Sequence, residues 1–225
     1  MHHGLDIEKA RYNMVEQQVR TWDVLDPSVL DLLFIVKREE FVPPAYRSLA
    51  FADMEVPLRI DPWDSGEFMW APKMEARILQ ELAIKSHERV LEIGTGSGYM
   101  AALLAHKADD VVSIEIDARL KAFGESNLRR AGVHNVRVLL ADGSREALDA
   151  SYDVIVVTGS LPIVTPALTN QLKVGGRLAA VVGEEPAMVA RIITRATEDG
   201  YDVLNLFETY VRPLRNAPRP SGFRF

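Results

Sequence analysis

The spacing of apolar residues along the 225-residue chain becomes regular only beyond Pro72. Before that point, residues 7–20 are weakly periodic. Asp26 followed by Pro27 predicts the start of a helix, because Asp is a favoured N-cap and Pro is tolerated at the first helical position. Prolines and a glycine interrupt residues 41–70, where no period persists. We therefore expect residues 1–71 to form a helical N-terminal cap with an irregular lid.

From Pro72 onward, short apolar runs alternate with amphipathic stretches. A helix that begins at Pro72 is followed by predicted strand 89–93, helix 98–107, strand 111–116, helix 118–131, strand 136–140, strand 152–158, helix 166–172 and, after a turn at Gly175-Gly176, strand 177–182. Short apolar strands between amphipathic helices are typical of a parallel sheet covered on both faces. We expect an α/β fold with a doubly wound, mostly parallel, seven-stranded Rossmann-like sheet over residues 72–215.

The end of the chain has a different pattern. Two strand-like runs, 188–197 and 203–211, flank the turn residues Glu198-Asp199-Gly200, which predicts a C-terminal antiparallel hairpin. A helix over 188–195 is the alternative. Two prolines and a glycine in residues 216–225 predict a flexible tail.

Composition and charge exclude several classes of function. The chain is 48% hydrophobic and 26% charged, as is usual for a globular protein, and no apolar run is long enough to span a bilayer. The absence of cysteine excludes disulfides and thiolate chemistry, and the five histidines have no ligand spacing, so we predict no metal. A net charge of -6 argues against a nucleic-acid partner. The first residues do not resemble a secretory signal, so we expect a cytoplasmic protein.

The candidate chemistry begins with a glycine loop. Val90 to Tyr99 reads VLEIGTGSGY, in which a buried strand runs into a glycine turn and then a helix. Glycines at such a turn let the backbone approach a nucleotide-like ligand. The triplet alone also fits a tight strand-to-helix turn that binds nothing. The loop residues that we predict to bind a cofactor are Gly94, Thr95, Gly96, Ser97 and Gly98.

Carboxylates at the ends of successive strands strengthen the prediction of a ligand site. Glu115 ends the second strand of the alternating region, about twenty residues after the loop, where an acid in such folds accepts hydrogen bonds from ribose hydroxyls. Asp142-Gly143 follows the third strand. The carboxyl ends of parallel strands meet at one edge of the sheet, where open α/β sheets bind ligands, so these features should line one crevice.

The loop favours S-adenosylmethionine over a dinucleotide. Its spacing is G-x-G-x-G, whereas the G-x-G-x-x-G pattern places a pyrophosphate at a helix N-terminus. We place Glu92 at the mouth of the loop, where a carboxylate would repel a pyrophosphate and tolerate an ammonium and a sulfonium. We therefore predict S-adenosylmethionine as the cofactor and S-adenosylhomocysteine as its product, and a dinucleotide-dependent oxidoreductase is disfavoured.

These segments resemble the protein-L-isoaspartate O-methyltransferase family. The similarity includes, in order, VLEIGTGSGY, SIE ending at Glu115, ADG at 141–143, YDVIVVT at 152–158 and QLKVGGRL at 171–178, with looser matches before Pro72. The resemblance implies carboxyl O-methylation of L-isoaspartyl residues in damaged proteins, which is a repair reaction. It also implies that Glu115 binds ribose, that Asp142 and Gly143 lie on the adenine side, and that the lid closes over the sulfonium.

The chain departs from the family pattern at two segments. Before Ala71-Pro72 the family reads glycine-glutamine-threonine-isoleucine-serine, whereas this chain reads Gly66-Glu67-Phe68-Met69-Trp70, so that Trp70 occupies the position of the family's serine. Near the C-terminus, Arg212-Pro213-Leu214-Arg215 stands where the family has valine-proline-leucine-threonine. We predict Glu67, Phe68, Met69 and Trp70 to be the lid residues that contact the acceptor.

The altered lid leaves the acceptor open. The segment 61–70 carries three acids and no base, and one uncompensated like charge within about 4 Å of an isoaspartyl carboxylate costs on the order of a few kcal/mol at low effective dielectric. Arg59, Lys73, Arg212 or Arg215 would compensate if it faced inward.

Alternatives to isoaspartyl methylation follow from the same residues. In one, Trp70 is a flat wall beside the methyl group, and the acceptor is neutral, aromatic or cationic. In a second, the protein is a non-catalytic S-adenosylmethionine-binding module. The simpler interpretation of the lid aromatics is that they pack the cap against the sheet. We assign no catalytic residue, because a carboxylate acceptor needs no general base and positioning supplies most of the acceleration.

Overall fold

The computed structural model describes residues 2–145, 148 and 151–219. The described helices are α1 (His2–Met14), α2 (Pro27–Ile35), α3 (Pro72–Leu82), α4 (Tyr99–Ala105), α5 (Ala118–Arg130) and α6 (Pro166–Thr169). The described strands are β1 (Val56–Ile60), β2 (Trp63–Met69), β3 (Arg89–Ile93), β4 (Asp110–Glu115), β5 (Val136–Leu140), β6 (Tyr152–Leu161), β7 (Leu172–Glu184), β8 (Ala187–Arg195) and β9 (Tyr201–Glu208). Short π and 3-10 turns connect the elements before β1.

Seven strands form one sheet in the order β5-β4-β3-β6-β7-β8-β9. The first five strands in this order are parallel, and β8 and β9 are antiparallel to their neighbours. The predicted mostly parallel α/β sheet with a C-terminal antiparallel hairpin is therefore confirmed. Because β3, β4, β5 and β6 run in the same direction, their carboxyl ends lie at the same edge of the sheet, which is where the glycine loop begins.

The two faces of the sheet bury two separate hydrophobic clusters. Along β3, Val90 belongs to one cluster and Leu91 to the other, as expected from the alternation of side chains along a strand. The first cluster also contains side chains of α3, α4 and the N-terminal segment, such as Met14 and Phe41. The N-terminal segment thus packs directly against α3 and α4, the helices that precede and follow the glycine loop.

The predicted start of α2 is confirmed. The carboxylate of Asp26 accepts a hydrogen bond from the backbone N–H of Ser28 at 2.8 Å, and Pro27 is the first helical residue. The hydroxyl of Ser28 also donates to the carboxylate of Asp26. This hydrogen bond is the main reason why the pKa of Asp26 is lowered. An N-cap of this kind typically stabilises a helix by about 1 kcal/mol.

The prediction that residues 41–70 are irregular is wrong for their second half. Strands β1 and β2 pair antiparallel, with Val56 opposite Met69 and Ile60 opposite Trp63. Pro57 and Gly66 conceal the strand pattern, and most of β2 is only half-buried, so its apolar residues do not alternate cleanly. We call residues 56–69 the lid hairpin.

Two further details of the C-terminal half differ from the expectations. Gly175 and Gly176 do not form a turn between elements but lie inside β7, where the pairing with β6 shifts register. The segment 187–195 is a strand, so the helical alternative is wrong, and Gly200 closes the turn before β9 by accepting from the N–H groups of Ala196 and Thr197. Of the predicted tail, residues 220–225 lie outside the described residues.

Candidate functional site

The glycine loop leaves β3 through backbone conformations that favour glycine. Gly94, Gly96 and Gly98 have φ values of +104°, +52° and +81°, respectively. The N–H groups of Gly94 and Thr95 donate to the carbonyl of Ile114, at 2.8 and 3.2 Å, which fixes the loop to the end of β4. A Cβ on residue 94 would lie 2.1 Å from the hydroxyl oxygen of Thr158 on β6. The loop is therefore held at the centre of the sheet edge, with bare backbone facing outward.

Glu115 links the loop to the next strand. One of its oxygens accepts from the N–H of Gly96 at 2.9 Å, and the other accepts from the N–H of Asp117 at 3.1 Å. The side chain is buried, and burial raises its pKa despite these bonds. A carboxylate oxygen accepts more than one hydrogen bond, so both oxygens retain a lone pair for a pair of vicinal hydroxyls.

Asp142 is oriented by its neighbours. Its Oδ1 accepts from the hydroxyl of Ser144 at 2.6 Å, and its Oδ2 accepts from the side-chain amide of Asn216 at 2.8 Å. Burial raises the pKa of Asp142, but these hydrogen bonds outweigh it and the net pKa is lowered. At Gly143, a Cβ would lie 2.7 Å from a methyl group of Ile93, so only glycine fits there without displacement.

These residues surround one open cavity at the carboxyl edge of the sheet, of about 750 Å³ including its mouth. Eight of the predicted residues line it: Gly94, Gly96, Glu115, Asp142 and Gly143 from the sheet edge, and Glu67, Phe68 and Trp70 from the lid hairpin and the residue after it. Ile93, Ile114 and Leu214 supply apolar walls. A cavity with bare backbone, apolar walls and a few fixed carboxylates fits a nucleoside-bearing cofactor.

Other predicted residues lie behind the loop. A smaller adjoining cavity is lined by Glu92, Thr95, Ser97 and Met69, and Gly98 lines neither cavity but caps α4. The expected position of Glu92 at the mouth of the loop is wrong. Its side chain is fully buried within the sheet, it accepts a hydrogen bond from Ser113, and burial raises its pKa to about 8. Its participation in cofactor binding stays a prediction.

The lid hairpin is attached to the segment that follows β9. Arg215 pairs with Glu67 at 2.8 Å and with Asp117 at 3.4 Å, and it also donates to the carbonyl of Ser65. The guanidinium of Arg212 stacks on the ring of Phe68, with 3.7 Å from its carbon to the ring centroid. The two segments that depart from the family pattern therefore contact each other across the cavity.

Only two of the four candidate cations face the cavity. Arg212 and Arg215 line it, whereas Lys73 pairs with Asp53 at 2.8 Å and Arg59 is exposed on the lid hairpin. Trp70 is 5% exposed and lines both cavities. Its burial fits the interpretation that it packs the cap against the sheet. Its place in the cavity lining fits the interpretation that it forms a wall beside the methyl group.

One buried ion pair next to the site was not anticipated. Arg38, which is fully buried, donates to Glu75 and to the backbone carbonyl of Trp70, so it supports the end of the lid. Burial raises the pKa of Glu75 to about 7, although Arg38 opposes the shift. A sequence signal did exist, because Glu75 is spaced with Ile78, Leu79 and Leu82 on the apolar face of α3.

Among the described residues there is no group of three or more acidic, histidine or cysteine side chains that could hold a metal ion. No helix in the described ranges is both long and apolar enough to cross a membrane.

Comparison with known proteins identifies the family. The model of the protein-L-isoaspartate(D-aspartate) O-methyltransferase family matches residues 9–214. Proteins named protein-L-isoaspartate O-methyltransferase from Koribacter versatilis and Methanoculleus marisnigri are 37% and 40% identical over 85% and 78% of this chain, and over 83% and 78% of their own. The protein-L-isoaspartate O-methyltransferase 2 of Marinobacter nauticus is 38% identical over 94% of this chain and 95% of its own.

Solved structures agree in fold. A Plasmodium falciparum protein assigned to the same activity, in complex with S-adenosyl-L-homocysteine, has a TM-score of 0.77 at 20% identity and covers 90% of this chain and 97% of its own. The structure of a protein-L-isoaspartate O-methyltransferase has a TM-score of 0.76 at 25% identity, over 92% of this chain and 65% of its own. The family uses S-adenosylmethionine, as predicted from the glycine loop. The chain belongs to the protein-L-isoaspartate(D-aspartate) O-methyltransferase family.

Proposed function

We propose that the protein transfers a methyl group from S-adenosylmethionine to the free carboxylate of an L-isoaspartyl residue in a protein or peptide. The family match and the names of the relatives support the reaction. The structural observation that carries the proposal is the charge balance of the lid. Of the three acids in segment 61–70, Glu67 lines the cavity, and it is ion-paired with Arg215. An anionic acceptor therefore does not meet the unpaired carboxylate that the sequence of the lid suggested.

The sheet edge supplies the cofactor site in this proposal. Glu115 would bind the ribose hydroxyls through the lone pairs that its backbone donors leave free, and Asp142 with Gly143 would contact the adenine side. Gly94 and Gly96 would lie against the cofactor through backbone alone. The sulfonium supplies an activated methyl group, and the hairpin end at Phe68 and Trp70 would cover it.

The chemistry requires positioning more than proton transfer. An oxygen of the acceptor carboxylate forms the new bond to the methyl carbon as the carbon–sulfur bond breaks, and the leaving group is a neutral thioether. The acceptor is already ionised near neutral pH, so no residue has to remove a proton. The chain contributes alignment of the two reactants and exclusion of water, which together lower the barrier by several kcal/mol in well-oriented reactions.

A second candidate function is favoured by Trp70. An indole at the family's serine position replaces a small hydroxyl with a flat apolar wall that faces the cavity. Such a wall suits a neutral, aromatic or cationic methyl acceptor. In that case the protein would be a methyltransferase of the same fold with a different acceptor.

Methyl transfer from labelled S-adenosylmethionine to matched isoaspartyl and aspartyl peptides tests the proposal. We expect the parent protein to methylate the isoaspartyl peptide only. Calorimetric binding of S-adenosylhomocysteine without transfer to this peptide would contradict isoaspartyl activity, and a panel of neutral and cationic acceptors would then identify an alternative substrate. Binding of NAD in place of S-adenosylhomocysteine would contradict both candidates.

The variant Trp70→Ser separates the two candidates. If Trp70 selects a different acceptor, the variant should gain isoaspartyl activity over the parent, because the smaller side chain restores the family's residue. Equal or lower activity in the variant contradicts the second candidate. Trp63→Ser is the control for removing an indole near the lid, because Trp63 is a half-buried residue of the lid hairpin that stacks with Arg119 and does not line the cavity.

A further inference from the structure

The segment that follows β9 forms part of the cavity wall, and it holds Arg212 in a fixed position. The backbone of Arg212 is tied to β6, because the N–H of Ser160 donates to the carbonyl of Arg212 at 2.9 Å and the N–H of Leu214 donates to the carbonyl of Ser160 at 3.0 Å. This segment continues the main sheet by one short parallel bridge between Ser160 and Pro213. The position of Arg212 relative to the glycine loop is therefore set by the sheet.

The side chain of Arg212 is also held. Its guanidinium stacks on Phe68 at 3.7 Å, and its Nη1 donates to the carbonyl of Gly66 at 3.1 Å. Stacking on one face and a hydrogen bond at one edge orient the plane of the guanidinium. An arginine oriented in this way loses little conformational freedom when it binds a planar anion.

Arg212 differs from Arg215 in the partners it has. All three nitrogens of Arg215 are used, by Glu67, Asp117 and the carbonyl of Ser65. Within the described parts of the chain, Arg212 has no carboxylate within 4.0 Å, and its Nε and Nη2 have no acceptor. These two nitrogens form the edge of a guanidinium that binds both oxygens of a carboxylate.

One acid of the cavity wall is influenced by the charge of Arg212 but forms no ion pair with it. Glu55 lines the same cavity, and burial raises its pKa, while the charge of Arg212 opposes that shift. The charge of Arg212 thus acts on the pKa of Glu55, but the two side chains form no ion pair. The cavity therefore presents one oriented cation that is not neutralised by direct contact with an acid of the described chain.

We infer that Arg212 binds the carboxylate of the methyl acceptor and determines its specificity for an anion. The inference rests on the proposed function, because it names how that acceptor is recognised. The free edge of the guanidinium would hold both oxygens of the carboxylate, and a remaining lone pair of one oxygen would be directed at the methyl group. The resemblance supplies no such residue, since the family has valine at this position.

Steady-state kinetics of Arg212→Gln, with Arg212→Lys as the conservative variant, test the inference. We expect KM for the isoaspartyl peptide to rise about tenfold or more in Arg212→Gln, as for the loss of one hydrogen-bonded charge, and by a smaller factor in Arg212→Lys. The dissociation constant of S-adenosylhomocysteine should stay unchanged. Arg59→Gln is the control, because Arg59 is an exposed arginine of the lid hairpin, which Arg212 contacts, and it does not line the cavity.

A binding measurement that needs no turnover keeps the inference distinct from the proposed function. Calorimetry in the presence of S-adenosylhomocysteine would compare the isoaspartyl peptide with the same peptide carrying a neutral amide in place of the carboxylate. We expect the parent to prefer the carboxylate and Arg212→Gln to lose that preference. This outcome would support the inference even if the parent showed no turnover, in which case only the proposed function would fail.

Two outcomes would overturn the inference. Weaker binding of S-adenosylhomocysteine in Arg212→Gln, with an unchanged KM for the peptide, would assign Arg212 to the carboxylate of the cofactor. Unchanged constants for both ligands would show that Arg212 only attaches the lid hairpin to the sheet.

Discussion

Replacing Gly94 by alanine should damage both the fold and the cofactor site through a single contact. The new Cβ would lie 2.1 Å from the hydroxyl oxygen of Thr158, well inside any allowed approach. The single proton of that hydroxyl is shared between the carbonyls of Ile93 and Gly94, at 2.9 and 2.6 Å. The side chain of Thr158 or the loop must therefore move, and either movement disturbs the end of β3.

The expected cost has two parts. A φ of +104° at residue 94 costs an alanine about 1–2 kcal/mol relative to glycine. Overpacking against Thr158 adds about 1–3 kcal/mol. We therefore expect Gly94→Ala to lower the free energy of unfolding by about 2–5 kcal/mol.

The double variant Gly94→Ala/Thr158→Ala isolates the contact. Thr158→Ala alone should cost about 1–3 kcal/mol through the loss of this shared hydrogen bond, but it also removes the atom with which the new Cβ collides. The double variant should therefore be less destabilised than the sum of the single variants, by about 1–3 kcal/mol. Gly132→Ala is a strain-only control, because Gly132 has a φ of +69° and open space around its Cβ position.

Urea unfolding of the parent, the two single variants, the double variant and the control measures these differences. Calorimetry with S-adenosylhomocysteine should show weaker binding for Gly94→Ala and unchanged binding for Gly132→Ala. Additive costs at residues 94 and 158, or a cost at residue 94 no larger than that at residue 132, would refute the steric reasoning.

Two further predictions concern the buried charges next to the site. Burial raises the pKa of Glu92 from 4.5 to about 8, so the folded protein retains a proton that the unfolded chain releases. The free energy of unfolding should therefore fall as the pH rises from about 5 to about 8. In Glu92→Gln, the urea midpoint should depend less on pH over this range, and an equal pH dependence in the parent and the variant would contradict the prediction. Glu75→Ala leaves Arg38 buried without its carboxylate and should lower the free energy of unfolding by about 3–5 kcal/mol. Glu81→Ala, which breaks the half-buried pair with Arg77, should lower it by only about 0.2–1 kcal/mol. Equal melting temperatures for these two variants would refute the second prediction.

Local sequence patterns predicted the parts of the site that lie on one strand-to-helix unit. The glycine loop and Glu115 occupy the predicted positions because buried strands, turn glycines and strand ends are specified by neighbouring residues. Glu92 shows the limit of this reasoning. Its place two residues before Gly94 suggested a position at the mouth of the loop, but β3 is covered on both faces, so the alternation of side chains points Glu92 into the interior beside Ser113.

By itself, the sequence determined the alternating α/β order, the parallel sheet edge and the candidate cofactor residues that gather at that edge, because periodicity and turn chemistry act over short separations along the chain. Only the tertiary structure decided which charged side chains face the cavity beside the lid hairpin. Arg212 and Arg215 meet the lid hairpin across 146 to 150 residues of sequence, and Arg38 meets Glu75 across 37. Such contacts depend on how elements pack in three dimensions, and no local pattern encodes which distant residue each arginine will contact.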